Sequence, residues 1–549
     1  MTNNARQHPG QDGEGQEGLP GGDRDGEETG VEERAERADT TGPSAGSQAL
    51  CTHYNSVYNL CVAMPLSPEA SHVLRELNPW WAPRGTVRPE PPTYRRPLVK
   101  ELTSRLKRGR GLIEVVRGPR QVGKTTGIHQ IIEDLLDSSV SGSDILFVRF
   151  DLEVLREEKA ALRSILAWYV ENIRGRRLDE GRPSMIFLDE VHKLRRWHEE
   201  VKHVGDTYPV RMLLTGSSSV LVARGGRESL AGRVFSTELP PFSFREVLEC
   251  WRPALAATLP AAIRFEGVFD GSIVRSNEAV DTLKPQQKLA IGRVLERYYA
   301  RGGYPRLHSG EVEDDRWADY LVQTVFENVL GADIPDLFPV ESPALLRHLY
   351  LSVARHTGQV VPQTKLASMA TEAGFPTNQP TVGKYLHYLA DALLIRGFRR
   401  YPLAKKITAR VAAKITVSDL GVRNAIFRGA PSLCESDPSV LGPLVETLVQ
   451  GVIRDHNLQV HFFRDYEDPS NRRSPIREVD FVAERLDGTV VPIEVKFRKR
   501  IQAEDLAGVR LFQSRFECPL ALIVTRDYSG WDKSTRTLFV PLQSFLLLF

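Results

Sequence analysis

The strongest constraint in this sequence is a glycine-rich stretch between a short apolar run and a helical pattern. It reads Gly118-Pro119-Arg120-Gln121-Val122-Gly123-Lys124-Thr125-Thr126 and matches G-x-x-x-x-G-K-[ST], whose glycines let backbone N–H groups turn inward around phosphate oxygens. In this pattern Lys124 reaches the β- and γ-phosphates, and the Thr125 hydroxyl binds Mg²⁺. The following helix points its positive end at the same phosphates. The stretch therefore predicts a nucleoside triphosphate site on a strand–loop–helix unit.

Apolar runs alternate with helical patterns on both sides of this loop, which is typical of a parallel sheet covered by helices. Ile128–Leu136 is predicted to be the helix after the loop. The runs predicted to be strands are Leu112–Val116, Ile145–Phe150, Met185–Leu188, Met212–Leu214 and Val234–Leu239. The sequence thus predicts an α/β fold for this part of the chain.

The run that begins at Met185 ends in two adjacent carboxylates, Asp189 and Glu190. After a phosphate loop, such a pair is typical of a Walker B element. Asp189 would hold the Mg²⁺ shell, and Glu190 would polarise the attacking water. The alternative is that both are merely solvated acids at a strand end.

A second constellation of charged residues lies near the C-terminus. Glu446 falls in a predicted helix, Leu444–His456, and Asp480 and Glu494 fall in two predicted strands, Glu478–Val482 and Pro492–Phe497. Residues i and i+2 of a strand share a face, so Lys496 points the same way as Glu494. Two carboxylates and a lysine on one face cost desolvation and repulsion unless something compensates. A divalent metal on Asp480 and Glu494 would compensate, with Lys496 orienting the attacking water; the alternative is a Glu494–Lys496 surface salt bridge.

Between these sites the sequence resembles a winged helix-turn-helix. Gln363–Ala373 and 379–392 are predicted helices separated by the turn Gly374–Thr377 and capped by Asn378, and Leu394–Tyr401 and Lys414–Val417 would form the wing. Such a domain can lay its second helix in the major groove, although winged helices also serve only in protein packing. The basic side chains that favour phosphate contacts are Lys384, His387, Arg396, Arg399, Arg400, Lys405 and Lys406.

Charge and composition divide the chain further. Residues 1–48 hold eleven Asp and Glu against four Arg, which leaves +9 for the remainder of a chain whose net charge is +2. We expect this acidic, Gly-rich tail to be disordered, and a moderately basic body permits nucleic-acid binding. The predicted parts are the tail (1–48), an extension (49–110), an α/β core (111–245), a helical lid (246–340), the winged helix (341–415) and a C-terminal α/β domain (416–549).

Trp80 and Trp81 in the extension either pack locally or anchor it to another domain or subunit. The chain has no run of 18 apolar residues and no apolar leader, so neither a membrane span nor secretion is expected. Five scattered cysteines without a CxxC pair favour free thiols in a reducing cytoplasm.

Over roughly residues 70–549, the sequence resembles archaeal and bacterial AAA+ ATPases fused to a restriction-endonuclease-like domain. The resemblance rests on the C-terminal constellation and on the motifs GPRQVGKTT, FLDE, TGSSS and ESLAGR. The C-terminal pattern resembles the PD-(D/E)xK nucleases, which include Holliday-junction resolvases. By that resemblance Glu446 is the helical acid, Asp480 the first strand acid, and Glu494 and Lys496 the ExK pair. Val479 replaces the usual proline before Asp480.

The AAA+ resemblance also implies three further site residues. Ser217 or Ser218 would be the polar "sensor 1" residue, although a helix N-cap serine fits as well. Arg233 would be the arginine finger that reaches a neighbouring subunit's γ-phosphate, with Arg224 or Arg227 as alternatives and a structural salt bridge as the competing reading. The turn Gly302-Gly303-Tyr304-Pro305 resembles a lid turn that places Pro305 near the adenine.

The resemblance implies ATP hydrolysis with Mg²⁺, assembly into a homohexameric ring and action on DNA. We therefore expect an ATP-driven protein that remodels or moves double-stranded or branched DNA, including Holliday junctions, and cuts it with Mg²⁺ or Mn²⁺. Two alternatives stay open: a STAND-like nucleotide switch with a nuclease effector in defence, and a DNA-binding ATPase with an inactive nuclease fold.

Overall fold

Five short strands form the sheet that carries the phosphate loop, and all of them except the edge strand at residues 234–238 are apolar and buried. They are Ile113–Arg117 (β1), Ile145–Arg149 (β2), Met185–Asp189 (β3), Arg211–Gly216 (β4) and Val234–Glu238 (β5). All pair in parallel in the order β2-β3-β4-β1-β5, so the predicted parallel sheet is confirmed. In this computed structural model the described residues are 65–83, 85–109, 113–216, 230, 232–402, 413–433, 437–453 and 458–549. The predicted acidic tail lies outside them.

Helices cover both faces of this sheet because their apolar sides need burial against it. They are Pro68–Leu77, Pro97–Arg108, Lys124–Asp137, Glu153–Arg156, Ala161–Tyr169 and Trp197–Thr207, with a π-helical continuation at Val170–Arg174. Short 3-10 turns lie at Pro79–Trp81, Gly142–Asp144 and Val191–Lys193. The helix after the loop begins at Lys124, four residues before the predicted Ile128, because apolar periodicity does not mark its polar first turn.

The N-terminal extension packs on the edge strand of the sheet. The Asn78 side chain accepts from the Phe147 N–H (2.7 Å) and donates to the Phe147 carbonyl (2.9 Å). The indole N–H groups of Trp80 and Trp81 both donate to the Ile145 carbonyl, at 3.3 and 2.8 Å. The tryptophan pair therefore anchors this segment to the predicted α/β core rather than packing only within the segment, and the described residues between 65 and 109 are part of the α/β layer.

The predicted lid is helical, as expected. Its helices are Phe244–Trp251, Pro253–Ala256, Ser272–Asp281, Pro285–Arg301, Trp317–Tyr320 and Ile334–Leu337, with π-helical stretches at Leu321–Glu327 and Val329–Asp333 and 3-10 turns at Phe265–Val268 and Pro305–Leu307. The C-terminal helix Leu542–Leu548 packs against them, since the Ile263 N–H donates to the Leu548 carbonyl at 2.7 Å.

The remaining described strands form a second sheet. Its strands are Gln359–Val360 (β6), Ile395–Arg400 (β7), Lys414–Val417 (β8), Leu458–Tyr466 (β9), Ile476–Arg485 (β10), Val490–Lys496 (β11), Ala521–Thr525 (β12), Gly530–Asp532 (β13) and Thr537–Pro541 (β14). The helices of this region are Pro343–Arg355, Gln363–Glu372, Gln379–Asp391, Leu420–Ile426, Pro438–Val452 and Ala507–Arg515, with a 3-10 turn at Ala503–Leu506. The order is β13-β14-β12-β11-β10-β9-β7-β8-β6.

This sheet crosses the boundary predicted at residues 415 and 416. Strand β7, predicted as part of the wing, pairs in parallel with β9 through Arg399↔His461 and Arg400↔Phe462. Strand β8 in turn lies between β6 and β7. The two predicted domains therefore share one sheet, and the described residues from 65 to 549 belong to one compact unit. The boundary was wrong because sequence spacing cannot reveal a parallel pairing between residues 62 positions apart, such as Arg399 and His461.

The helix predicted at Leu444–His456 is Pro438–Val452. It starts earlier because the Asp437 carboxylate caps it by accepting from the Ser439 N–H at 2.8 Å. His456 lies outside the described residues. Within the described ranges, no helix is both long and apolar enough to cross a bilayer.

Candidate functional site

The phosphate loop joins β1 to the helix that begins at Lys124. Gly123 adopts a left-handed backbone with a φ of 92°, and Gln121 also has a positive φ of 64°. A Cβ on Gly118 would lie 2.4 Å from the Leu239 carbonyl oxygen. The Lys124 ammonium donates to the carbonyls of Gly118 (3.0 Å) and Pro119 (3.1 Å) and so lies within the loop. Glycine at 118 thus permits the close approach of Leu239, and glycine at 123 permits the left-handed backbone.

The predicted magnesium ligands are in contact. Asp189, at the end of β3, accepts from the Thr125 hydroxyl at 2.7 Å. Asp189 also accepts a hydrogen bond from the Thr215 hydroxyl of β4. The Thr215 hydroxyl oxygen in turn accepts from the Glu190 N–H at 3.2 Å. Burial, followed by the charge of Glu190, raises the pKa of Asp189. A buried carboxylate and a hydroxyl at the loop are a donor set that suits Mg²⁺, so these residues fit the metal that the motif implies.

Thr215 was missed by the sequence reasoning, which placed the polar residue of this strand at Ser217 or Ser218. Both serines lie outside the described residues. Because β4 lies between β1 and β3, its last residues lie between the phosphate loop and Asp189. The signal available in the sequence was the polar Thr215 that ends the apolar run Met212–Leu214.

Glu190 lies beside the loop lysine. Its carboxylate is 3.8 Å from the Lys124 ammonium and 3.3 Å from His192 Nδ1, and its side chain is 28% exposed. Its backbone is left-handed, with a φ of 52°. Burial, followed by the charges of Lys193 and Lys124, lowers the pKa of His192 to about 4. Glu190 is thus a partly exposed carboxylate at the cavity wall, next to a neutral histidine.

A cavity of about 810 Å³ opens beside the loop. The phosphate loop, the predicted lid and the N-terminal segment form the walls of this cavity. The lining residues from outside the loop include Tyr94, Asp189, Glu190, Phe242, Pro305 and Asp333. The volume is in the range of small-molecule and cofactor sites. Pro305, predicted near the adenine, lines this cavity.

The turn that carries Pro305 is held at three points. The Gly303 N–H donates to Asp419 Oδ2 at 2.9 Å, and Gly303 accepts from the Phe242 N–H at 2.7 Å. His308 Nε2 lies 2.8 Å from the Gly302 carbonyl. A Cβ on Gly303 would lie 2.1 Å from the Phe242 carbonyl oxygen. The second glycine is therefore required by close backbone approach.

The lid also contacts the loop directly. The Arg120 guanidinium donates from Nε to Asp333 Oδ2 at 2.6 Å and makes a second bond to Oδ1. Tyr320 donates to the Gln121 side chain at 3.4 Å. The Arg120–Asp333 pair couples the loop to the π-helical stretch Val329–Asp333, and nothing in the sequence marked Asp333 as its partner.

A buried arginine of the N-terminal segment supports the loop from behind. Arg96 makes two bonds to the Glu246 carboxylate, at 2.7 and 2.9 Å. It also donates to the carbonyls of Val122 (3.3 Å) and Pro240 (2.8 Å). Residues 85–96 therefore belong to the site, although the sequence placed them outside the core.

Arg233, the predicted arginine finger, lies at the end of the sheet opposite the phosphate loop. Its carbonyl accepts from the Ile113 N–H at 2.9 Å, at the start of β1, whereas the phosphate loop follows the end of β1. Its guanidinium pairs with Asp206 at 2.7 Å. The alternatives, Arg224 and Arg227, lie outside the described residues. Any contact of Arg233 with a nucleotide would require a neighbouring subunit.

The C-terminal residues predicted as one cluster are brought together. Asp480 on β10 and Glu494 on β11 are buried, and the Asp480 N–H donates to Glu494 Oε2 at 3.1 Å. Asp480 Oδ2 accepts from the Val495 N–H at 2.9 Å. The Lys496 ammonium donates to Glu494 Oε1. These residues therefore lie at one place in the sheet, as the helix–strand–strand order predicts.

A fifth residue, Lys414 of β8, lies between the Asp480 and Glu446 carboxylates of this cluster. Its ammonium is 2.8 Å from Asp480 Oδ1 and 2.7 Å from Glu446 Oε2, and its side chain is 1% exposed. Glu478 lies 4.0 Å away. The sequence assigned Lys414 to the wing because the parallel β7–β9 pairing, which carries β8 to the cluster, was not foreseen.

The charges of the cluster are balanced by its own side chains. Burial, followed by the charge of Asp480, raises the pKa of Glu446 to about 8, and the same causes raise that of Glu494 to about 8. Although burial works in the opposite direction, Lys414 and Lys496 lower the pKa of Asp480. Burial would lower the pKa of Lys414, but Asp480 and Glu446 raise it well above its usual range.

The cluster does not fit the divalent metal predicted at Asp480 and Glu494. A metal bound by Asp480 would adjoin the Lys414 ammonium, and repulsion between a dication and a buried ammonium is strong in a poorly solvated site. In the described part of the chain no group of three or more Asp, Glu, His and Cys side chains is arranged to hold a metal ion. The charge that a metal would supply comes instead from lysine.

The predicted DNA-facing side chains differ in their partners. On the helix Gln379–Asp391, Lys384 is 3.3 Å from Glu341 and His387 is 3.4 Å from Asp391, and both are exposed. Arg396 pairs with Glu238 of β5, and Arg400 pairs with Asp465 at 3.0 Å. Lys405 and Lys406 lie outside the described residues. Arg396 and Arg400 thus tie elements of this chain together, while the exposed residues Lys384, His387 and Arg399 remain accessible.

Three family models match separate parts of the chain. Residues 111–248 match the model of the AAA domain, residues 292–432 match a domain of unknown function, and residues 441–545 match a second one. The first match, with the contacts of Lys124, Thr125 and Asp189, supports an AAA-type P-loop ATPase in this part of the chain. The two others assign no activity.

Similar proteins span several microorganisms. An uncharacterised protein of Haemophilus influenzae is 22% identical over 57% of this chain and 68% of its own length. One of Methanocaldococcus jannaschii is 21% identical over 77% of this chain and 84% of its own length. One of Mycobacterium tuberculosis is 24% identical over 60% of this chain and 59% of its own length.

Two solved structures show limited similarity. The Walker-type ATPase of Pyrococcus abyssi is 14% identical and covers 63% of this chain and 99% of its own, with a TM-score of 0.37. The Orc1 protein of Aeropyrum pernix, solved in complex with DNA, is 13% identical and covers 60% and 91%, with a TM-score of 0.25. The family match and the site geometry therefore carry the ATPase assignment.

Proposed function

We propose that this protein is an ATP-hydrolysing AAA+ protein that remodels or moves double-stranded or branched DNA. The observation that carries the ATPase half is the contact of the Thr125 hydroxyl with Asp189 at 2.7 Å, beside Lys124 and Glu190. A strand-end carboxylate held against the loop hydroxyl is the arrangement that Mg²⁺–nucleotide binding requires.

In this proposal the loop N–H groups and Lys124 bind the phosphates, and Thr125 and Asp189 hold Mg²⁺. Bound there, the metal would neutralise charge that develops on the phosphate oxygens. Thr215 fixes the direction of the Asp189 carboxylate, and Glu190, partly exposed at the cavity wall, orients the attacking water. The lid turn with Pro305 and the segment 85–96 enclose the base.

DNA is the proposed partner on grounds of charge and exposure. Lys384 and His387 lie on the exposed side of the helix Gln379–Asp391, which corresponds to the groove-reading helix of the predicted winged helix. Arg399 adds an exposed charge on β7. The body of the chain carries a net +9 outside residues 1–48. These features favour phosphate contacts.

A homohexameric ring is also part of the proposal. Arg233 lies far from its own phosphate loop, so it can act on a nucleotide only across a subunit interface, and its pair with Asp206 would have to open. Molar mass measured by light scattering, with and without a slowly hydrolysed ATP analogue, tests this part. A monomer under both conditions would contradict it.

Cutting by the C-terminal sheet is the part of the original prediction that the geometry favours least. Lys414 balances the carboxylates that a metal would need, which favours the reading in which this sheet binds DNA without hydrolysing it. In that reading Asp480, Glu494 and Lys496 maintain the fold around a DNA platform. The cutting hypothesis, with Mg²⁺ or Mn²⁺, predicts cleavage that is lost in Glu494→Ala and Lys496→Ala while ATP hydrolysis continues.

A nucleotide-controlled switch is the second candidate, favoured by the Arg120–Asp333 contact between the loop and the lid. Because Arg120 is part of the phosphate loop, nucleotide binding can bias the lid position directly. Slow turnover with tight ATP retention would favour the switch, and fast multiple turnover would exclude it.

The decisive experiment is ATP hydrolysis by the full chain with no DNA and with linear, forked and four-way DNA. We expect Mg²⁺-dependent hydrolysis that DNA stimulates and that Lys124→Ala abolishes. Hydrolysis without any DNA binding would leave the ATPase half intact and refute the DNA half.

A further inference from the structure

Lys414 is fixed in the carboxylate cluster by the sheet itself. Strand β8 has neighbours on both sides, and Lys414 is in register with Val360 of β6 and with Phe398 of β7. Its ammonium lies 5.1 Å from the centre of the Phe481 ring of β10. A residue whose backbone is paired on both sides cannot withdraw without breaking the ladder.

The partners of Lys414 come from two separate elements. Glu446 lies on the helix Pro438–Val452, and Asp480 lies on β10. The ammonium donates to Asp480 Oδ1 at 2.8 Å and forms an ion pair with Glu446 Oε2 at 2.7 Å. One buried cation therefore joins the helix, β10 and the strand predicted as the wing.

The same oxygen atoms are those that a metal would use. Asp480 Oδ1 is bound to Lys414, Asp480 Oδ2 accepts from the Val495 N–H, and the two Glu494 oxygens accept from Lys496 and the Asp480 N–H. No carboxylate oxygen of Asp480 or Glu494 is left without a donor from this chain. Metal binding would require several of these bonds to be exchanged at once.

We propose that the Lys414 ammonium is the resident cation of this cluster and stands in the place of a divalent metal. The cluster is then a structural connection between β8 and the C-terminal sheet, and it takes up no Mg²⁺ or Mn²⁺ while Lys414 is present. This inference is independent of the ATPase site, whose own metal is held by Thr125 and Asp189.

The test is Mn²⁺ binding to the full chain, measured from the loss of the free Mn²⁺ signal in electron paramagnetic resonance. All samples carry Asp189→Asn and no nucleotide, so that the ATPase site contributes little. With Lys414 present we expect no stoichiometric site. Lys414→Ala should create one Mn²⁺ site per chain, between the Asp480 and Glu446 carboxylates that the ammonium leaves, and adding Glu446→Gln should remove it. Lys499→Ala, which removes an exposed lysine outside the cluster, is the matched control and should bind no metal.

A thermal unfolding series gives a second readout. Mn²⁺ should leave the unfolding midpoint of the chain with Lys414 unchanged and should raise that of Lys414→Ala by several degrees. Should Lys414→Ala fail to fold, the chain with Lys414 still decides, because one Mn²⁺ per chain that Glu494→Gln abolishes would overturn the inference. A folded Lys414→Ala chain that takes up no Mn²⁺ would overturn it as well. ATP hydrolysis is measured separately, on the chain with Asp189 intact. Neither outcome of the Mn²⁺ experiment changes the conclusion about the ATPase site.

Discussion

Thr215 and Asp189 are joined by a hydrogen bond between the ends of two neighbouring parallel strands. The Thr215 hydroxyl oxygen also accepts from the Glu190 N–H at 3.2 Å. One side chain of β4 thus contacts both the Asp189 carboxylate at the end of β3 and the backbone of Glu190, which makes Thr215 a positioning residue for the proposed ATP hydrolysis.

Thr215→Val should lower kcat for ATP hydrolysis by about 5-fold with little change in KM, because losing one orienting hydrogen bond costs about 1 kcal/mol. Thr215→Ser keeps the hydroxyl and should restore most of the activity. Steady-state kinetics of the three proteins checks this, and equal kcat in the valine and serine variants would contradict the positioning role.

Glu190→Gln should keep nucleotide affinity and reduce hydrolysis by about 100-fold or more, the range for loss of a general base. The amide is nearly the same size and still reaches Lys124 and His192. Fluorescent nucleotide titration and single-turnover hydrolysis measure the two effects separately. A variant that hydrolyses ATP at the normal rate would remove Glu190 from the mechanism.

The Arg120–Asp333 pair should couple the lid to the loop by about 1 kcal/mol, as expected for a partly exposed bidentate ion pair. A double-mutant cycle measures this coupling. Nucleotide affinity is determined for Arg120→Ala, for Asp333→Ala and for the variant that combines the two substitutions. The exposed pair Arg347 and Glu327 is the matched control and should show no coupling to nucleotide. Additive effects of Arg120→Ala and Asp333→Ala would show that the contact transmits nothing.

His308 should make stability fall in mild acid. Burial is the main cause that lowers its pKa to about 4, whereas an unfolded histidine titrates near 6.5. Above pH 6.5 the imidazole is neutral in both states, so burying it costs no stability. Between pH 6.5 and 4 the unfolded state binds a proton that the folded state does not, and the free energy of unfolding falls by about 3 kcal/mol over this range. His192, with its pKa near 4 for the same reason, adds to this loss.

The measurement is the free energy of unfolding in urea at pH 7 and pH 5. His308→Gln retains a donor for the Gly302 carbonyl and should lose less stability between these two values than the unsubstituted chain. His72→Gln, which changes an exposed histidine, is the control and should leave the difference unchanged. An unaltered pH dependence in His308→Gln would refute the assignment to His308.

Local patterns were sufficient for the nucleotide half of the molecule. The strands β1–β5 and the loop residues Gly118 to Thr126 follow from apolar runs and one motif, because a buried parallel strand is continuous in hydrophobicity. The order of helix, β10 and β11 likewise placed Glu446, Asp480, Glu494 and Lys496 in one cluster. What these patterns could not show was which residues lie opposite them.

Sequence alone therefore determined the chemistry that each local segment can perform: a phosphate-binding loop, strand-end acids and a carboxylate–lysine strand. Only tertiary structure decided that Thr215 orients Asp189, that Asp333 reaches Arg120, and that Lys414 fills the C-terminal cluster. The physical reason is that each of these contacts joins residues far apart in the chain, through pairings such as β7 with β9 that leave no periodic signal. Whether a carboxylate cluster holds a metal or an ammonium depends on such pairings.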